Sequence, residues 1–306
     1  MNQETQENNI QESSAPPSLK AHIPLALFIL YYFAFLPLVV SPLLNSIGFS
    51  SGTLGGVIIS GLSFLLPAIL YMLIVRQKPR EVLPPKRLGM KNAAYIVLIN
   101  IAAILVIVFL VYGHFNTIFT VFEHEPFELP PMSAMWIFLL ANGLLTSTFE
   151  EIWCRGALYR EYRRYGVSIL KTAIITGVLF GVLHSGILQI SYTAVMGVLW
   201  AFLFYFTRSI WAPILSHAVF NIFFILLNPR YYVSDYTVFW DIAPTFTLVI
   251  GILAVVMIPI AIVCVIKLVK NNPVEKETKA KESVPFTAGY WALIAAMIAL
   301  AVIYQI

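Results

Sequence analysis

Charge is what this sequence has least of. Only 11% of its 306 residues are Asp, Glu, Lys or Arg, and 59% are hydrophobic; a soluble domain carries about 25% charged residues. A water-soluble core of this size has no use for such an excess, which excludes an ordinary soluble protein. Cysteine is nearly missing: Cys154 and Cys264 lie far apart, in or beside apolar segments, which argues against a disulfide framework. Basic residues are absent from the first nineteen positions, where Glu4, Glu7 and Glu12 stand instead. That is no secretory signal, which needs a basic start and a short apolar stretch, so 1–20 reads as a disordered tail. A net charge of +4 is too small for a nucleic-acid footprint. No repeat period and no H-E-x-x-H zinc helix is present.

What fills the chain is long apolar runs. About 20 helical residues cross about 30 Å of hydrocarbon. Nine such spans are predicted: His22–Leu44, Gly52–Val75, Ala93–Tyr112, Met135–Tyr159, Ser168–Gly186, Ser191–Phe206, Ile210–Leu227, Pro244–Ile266 and Gly289–Tyr304. The sixth is the shortest, and a re-entrant or mismatched helix there would leave eight. The fold class is therefore all-α, a polytopic transmembrane bundle. Loops on the cytoplasmic side collect Lys and Arg. With the N-terminus cytoplasmic, 18 of the 19 basic residues fall inside and only Arg230 outside. The outer loop around Glu123, Glu125 and Glu128 then has no basic residue. Pro84-Pro85 and Pro130-Pro131 mark turns, and 270–285 reads as a charged, solvated inner linker. The basic stretch from Arg76 to Lys91 orients the chain and is placed to meet anionic lipid headgroups. Trp136, Trp153, Trp200, Trp211 and Trp240 are expected mostly in the interfacial belt.

A charge inside a bilayer needs a reason. Of the 15 acidic residues only Glu150 and Glu151 lie well inside a span, and of the five histidines only His184 and His217. Asn221 follows His217 by one turn. At 1.5 Å rise per residue, Glu150 is about 15 Å from the inner mark at Arg160, His184 about 20 Å from Lys171, His217 about 13 Å and Asn221 about 20 Å from Arg208. Three helices thus bring polar groups to one slab. Residues at i and i+4 share a face, which pairs Glu151 with Arg155, His217 with Asn221 and Phe180 with His184. Glu150 lies about 100° round from Glu151, so one carboxylate can pair with Arg155 while the other faces the cluster. Gly177, Gly181 and Gly186 allow close approach of the fifth helix.

Two adjacent glutamates in such a site need not behave alike. One stays ionised against the arginine; the other is available as a general base. Histidine can orient water or protonate a leaving amine, and His217 with Asn221 can donate to a developing oxyanion. The chemistry this permits is glutamate-activated attack of water on an amide. No nucleophile stands out: Ser185 and Ser216 flank the histidines without a base one turn away, and Cys154 faces carboxylates that disfavour a thiolate. Two histidines and a glutamate from three helices can also assemble a zinc site; its donors would be Glu150, His184 and His217, and spacing leaves that open. The plain readings compete: an ion pair with Arg155 accounts for one glutamate but not two, a histidine can be bundle hydrogen bonding, His217 with Asn221 can be interhelical polar glue, and Arg155 alone can snorkel.

The three motifs, E-E-x-x-x-R at Glu150–Arg155, F-x-x-x-H at Phe180–His184 and H-x-x-x-N at His217–Asn221, resemble those of the CAAX protease and bacteriocin-processing (CPBP, or Abi) family, which includes the type II CAAX prenyl protease. The resemblance covers about 132–228 and implies an intramembrane endopeptidase with a cavity open to the cytosol. Carried over, Glu150 activates water with help from His184, His217 and Asn221 stand on the oxyanion side, Glu151 and Arg155 orient the site, and Phe180 packs around it. It leaves metal dependence open and implies no other cofactor. Implied partners are membrane lipids and a peptide or protein substrate entering from the membrane or cytosol: a prenylated C-terminal motif, a peptide pheromone or a bacteriocin. Length and the extra C-terminal spans resemble bacterial relatives, so a multi-pass protein of a bacterial plasma membrane is expected, with helices 21–131 and 229–306 flanking the core. The competing functions are a non-catalytic scaffold or bacteriocin self-immunity protein, and a transporter using Glu150 and Glu151 as a proton relay, for which the inverted repeats are not found.

Overall fold

A computed structural model describes residues 19–46, 48, 52–83, 86–114, 132–184, 187–227, 236–274 and 286–303. The expected tail, the outer acidic loop, both proline pairs, Arg230, Ser185, Gly186 and most of the charged linker lie outside them. Every long element is a helix. We number them α1 (Lys20–Ser46), α2 (Gly52–Val75), α3 (Met90–His114), α4 (132–164), α5 (Ile169–Val182), α6 (Ile187–Thr207), α7 (Trp211–Leu227), α8 (Tyr236–Asn271) and α9 (Ala288–Ile303). Each answers to one predicted span. Five described helices are long and apolar enough to cross a bilayer on those criteria alone, and α5 and α7 are shorter apolar helices. Inside lipid the backbone must satisfy its own hydrogen bonds, and helices do so within one segment.

The differences from the expected bounds are local and have causes. The sixth span is longer than expected, because Ile187–Ile190 continue the helix toward its N-terminus. The fifth is shorter: α5 stops at Val182, and His184 sits two residues further on, its backbone N–H donating to Gly181 O at 3.0 Å. α1 widens into π-helical turns over Tyr31–Val40, around Pro37. Proline lacks the N–H and crowds the carbonyl four residues back, so a wider turn relieves it. α4 widens twice, over Leu140–Leu145 and Ile152–Tyr159. These two stretches flank the acid pair, and π-turns recur at functional sites.

The segments that the charge distribution assigned to one side meet at one end of the bundle. Tyr71 donates to Glu161 Oε2 at 2.5 Å, Arg160 to the Glu81 carbonyl, and Ser209 Oγ to the Lys86 carbonyl at 2.6 Å. The Lys171 ammonium lies 4.1 Å from the Phe286 ring centre, and the Tyr162 and Tyr290 hydroxyls are 3.2 Å apart. Arg76 and Arg208, at the ends of α2 and α6, adopt left-handed φ of 56° and 54°, unusual for a side chain with a Cβ.

α5 packs along α6, and α3 lies between α7 and α8, while α1 and α2 cover α4. The α5–α6 contact is close because glycine meets backbone: a Cβ on Gly177 would stand 2.8 Å from both Val198 N and Ala194 O, and one on Gly181 2.7 Å from Ile190 O. The expectation for these two glycines holds, and Gly197 on the facing helix completes the seam. Leu248, Ile252, Val255 and Val256 of α8 and Trp136 of α4 are exposed, as surfaces turned to lipid are. Trp211 is exposed as expected of a belt, but Trp153 and Trp200 are not: both are buried, Trp153 packed at a tilt against Phe28 and Trp200 beside the polar cluster. The length of an indole explains the error, since sequence cannot say whether a tryptophan near a span end points out or in.

Candidate active site

α4 delivers the acids. Its turn Thr146–Glu151 carries Ser147, Glu150 and Glu151 on the buried side. Glu151 and Arg155, both fully buried, form an ion pair one turn apart, Arg155 Nη1 to Glu151 Oε1 at 2.9 Å. The guanidinium's other arm donates from Nη2 to the Gly197 carbonyl at 2.6 Å, which the bare glycine seam brings within reach. Its charge also lies 5.6 Å from the ring centres of Phe180 and Trp200, a cation–π cage. Both terminal nitrogens of the guanidinium are thus hydrogen-bonded, while Nε is buried without a hydrogen bond.

His217 of α7 joins the two acids. Its Nδ1 is 3.0 Å from Glu151 Oε1. An ionised carboxylate only accepts, so the contact assigns the hydrogen to Nδ1 and leaves Nε2 facing Glu150. Nε2 lies 3.5 Å from Glu150 Oε2, longer than the roughly 2.7–3.2 Å of a protein N–H···O bond. Glu150 Oε2 is buried and makes no hydrogen bond. The Glu150 side chain is the partly open one, at 11% exposure against 0% for Glu151. Each carboxylate has an Oε2 without a hydrogen bond, but they are unlike: Glu151 gives its Oε1 to both Arg155 and His217 and is closed off, whereas Glu150 has no arginine partner and is the partly open one.

Aromatic rings set the imidazoles. Trp200 stacks on His217 with centroids 3.9 Å and planes 19° apart, and Phe180 meets the same ring edge-on at 5.4 Å. Phe180 also packs against His184 at 4.8 Å, so one phenyl touches both histidines. His184 Nδ1 lies 3.0 Å from the Phe180 carbonyl; a carbonyl accepts, which puts the hydrogen on Nδ1. Asn221 does not bond to His217. Its Nδ2 donates to the Asn142 carbonyl and to Ser147 Oγ, both at 3.1 Å, tying α7 to α4 one turn along from the acids. Cys154 is buried and free of any disulfide.

All six predicted polar residues thus lie close together: Glu150, Glu151, Arg155 and His217 are buried and linked through Glu151 and His217, half-buried His184 stands beside them through Phe180, and half-buried Asn221 a turn away. Sequence reading missed Trp200, Gly197, Asn142, Asn100 and the part played by Ser147 and Ser216. An amide inside an apolar span is a signal of the same kind as a charge, and Asn100 and Asn142 carried it. Among the described residues no three His, Cys, Asp or Glu side chains converge as a metal site requires. Glu150 and His217 offer two donors, and His184 is not brought to them as a third. The donor set does not fit a zinc centre, and the chemistry below uses none.

An α-helical membrane bundle with a buried carboxylate, histidine and arginine site defines the class. Residues 132–223 match the family model described as Type II CAAX prenyl endopeptidase Rce1-like. The chain is also similar to the Bacillus subtilis (strain 168) protein named "Putative membrane peptidase YdiL", 26% identical over 180 residues, covering 55% of this chain and 70% of the relative. No solved structure matches. Over residues 132–223 the chain is thus similar to the CAAX protease family that its three motifs resemble.

Proposed function

We propose that this protein is an intramembrane endopeptidase in which Glu150 takes a proton from water as that water attacks a peptide carbonyl. The observation that carries this is the inequality of the two acids. Glu151 is fully buried and holds Arg155 and His217 Nδ1 on its Oε1, whereas Glu150 has no arginine partner, is 11% exposed, and sets its Oε2 3.5 Å from His217 Nε2. His184 helps hold the water, and Glu151 with Arg155 and Phe180 fixes the geometry. His217 and Asn221 stand on the oxyanion side, His217 as a donor only once Nε2 takes a proton, because Nδ1 is given to Glu151, and Asn221 only on releasing Asn142 or Ser147. The proton taken by Glu150 passes to the leaving amine, so the peptide bond breaks, water is consumed, and the glutamate is regenerated. The site is built on rigid helices, which suits a reaction needing reacting groups held close.

The catalytic unit we assign is 132–228, with 21–131 and 229–306 as flanking helices, in a bacterial plasma membrane with its basic end toward the cytosol. The substrate class is a peptide or protein segment reaching the site from the bilayer or from that end. The test is comparative peptidomics of cells carrying the intact protein, Glu150→Ala or His184→Ala. Both variants should accumulate in the membrane and lose cleavage; removing a general base costs about 10²–10⁴-fold. Persistence of the same cleaved peptides in both would refute the reading. A phenotype that survives Glu150→Gln would point instead to a non-catalytic scaffold or immunity protein.

A further inference from the structure

The bundle buries an amide that the acid site does not itself use. Asn100 lies in mid-α3, fully buried, outside the segment that matches the family. Such an amide is costly in an apolar helix unless its polar atoms are matched. Both of its ends go to one residue of α7. Nδ2 donates to the Ser216 carbonyl at 2.8 Å, and Oδ1 accepts from Ser216 Oγ at 2.9 Å. With its proton committed there, Ser216 Oγ turns a lone pair to α6, and Trp200 Nε1 donates to it at 3.0 Å. The indole so pinned is the plate that lies 3.9 Å from His217.

We infer that Asn100 is a positioning residue for His217, acting through Ser216 and Trp200. This rests on the reading of Glu150 and His217 as working parts of an endopeptidase. Without Asn100, the Ser216 hydroxyl has a second acceptor nearby, the carbonyl one turn back in its own helix, where serines in helices habitually bond. Taking it moves Oγ away from the indole and leaves a buried N–H unpaired. Trp200 is then free to tilt, and the imidazole loses the face that holds Nδ1 on Glu151 and Nε2 toward Glu150. Ground-state contacts with substrate are untouched, so the loss falls on turnover.

The test uses the full-length protein in detergent micelles with two readouts. The first is a quenched fluorogenic peptide spanning the cleavage site that peptidomics identifies. Asn100→Leu should lower kcat about 10–100-fold, the scale of a small misplacement of a reacting group, with KM within about twofold. Asn100→Asp keeps the oxygen that accepts from Ser216 and should recover most of kcat. Trp200→Phe keeps a stacked ring but loses the N–H, and combined with Asn100→Leu it should cost little more than either alone. The second readout is ¹⁵N-histidine NMR, with the His217 signals assigned by their absence in His217→Gln. The intact protein should give one fixed tautomer with hydrogen on Nδ1, and Asn100→Leu an exchanging mixture. If Asn100→Leu does not accumulate, Ser216→Ala removes the same link and is held to the same outcomes. Loss of cleavage in Glu150→Ala with wild-type kcat and an unchanged His217 spectrum in Asn100→Leu overturns this inference and leaves the endopeptidase reading standing. Absence of cleavage by the intact protein overturns that reading, while the His217 spectrum still decides the positioning role.

Discussion

Replacing Arg155 with methionine isolates the electrostatics of the cluster. Methionine is apolar, unbranched and able to fill much of the same space. The substitution removes a 2.9 Å ion pair between two side chains with no solvent exposure, and a 2.6 Å bond to the Gly197 carbonyl. What decides the magnitude is the charge left behind. A buried ion pair adds little over an apolar pair, but breaking one side costs about 3–5 kcal/mol because the other charge stays buried and bare. The carboxylate of Glu151 keeps His217 Nδ1 at 3.0 Å, which offsets part of this, so the lower end is expected. At about 2–4 °C per kcal/mol for chains of 150–250 residues, that is a drop of roughly 10 °C in Tm. The assay is thermal unfolding in dodecyl maltoside, followed by tryptophan fluorescence. Adding Glu151→Gln should restore most of the loss, since a neutral amide leaves no bare charge and still accepts from His217. Arg164→Ala is the milder comparison: its side chain is 56% exposed and 3.8 Å from a buried Glu161 that Tyr71 also holds, so the loss should be smaller than for Arg155→Met. A loss below about 1 kcal/mol in Arg155→Met, or a double variant less stable than the single, would refute the argument.

Gly177→Ala drives a Cβ to 2.6 Å from Val198 Cγ2 and 2.8 Å from Val198 N; backbone must move, so about 1–3 kcal/mol of stability should go. Activity should fall with it, while Gly89→Ala, with nothing within 4 Å, should be silent in the same unfolding and cleavage assays. Burial pushes the Glu161 carboxyl above its ordinary range, with the Tyr71 hydroxyl and Arg164 opposing. The folded chain therefore holds a proton that the unfolded chain has released, and stability should decline as pH rises from the ordinary glutamate value through the raised one. Glu161→Gln should flatten that decline in unfolding measured from pH 4 to 8, and an unaltered slope would count against it. Cleavage should survive 1,10-phenanthroline, because the described residues bring no third His, Cys, Asp or Glu to Glu150 and His217; inactivation reversed by added zinc would overturn this.

Much of this molecule was written in one dimension. Scarcity of charge forced the bilayer as solvent, and the bilayer admits helices because nothing else in it satisfies a lone segment's backbone. Each of the nine apolar runs lies in a helix among the described residues, and the lopsided basic residues named the ends that now meet through Tyr71–Glu161, Ser209–Lys86 and Lys171–Phe286. The candidate site was legible for the same reason: Glu150, Glu151, His184 and His217 are costly where they stand, and cost marks position. The i,i+4 pairing of Glu151 with Arg155 needed only helix geometry.

What the sequence could not carry is which way side chains turn between helices. Trp200 looks in one dimension like any tryptophan near a span end, and only the packing of α6 on α7 makes it the face of His217. Gly197 matters because α5 comes close enough to leave its carbonyl for Arg155. Asn100 is far along the chain from Ser216, and no spacing rule links them. The difference between Glu150 and Glu151 is also tertiary. Sequence shows two identical neighbours on one turn; the fold gives one of them an arginine and a histidine and closes it off, and leaves the other partly open. Solvent decides what a chain can be from its composition alone, whereas a site depends on contacts between helices that composition does not order.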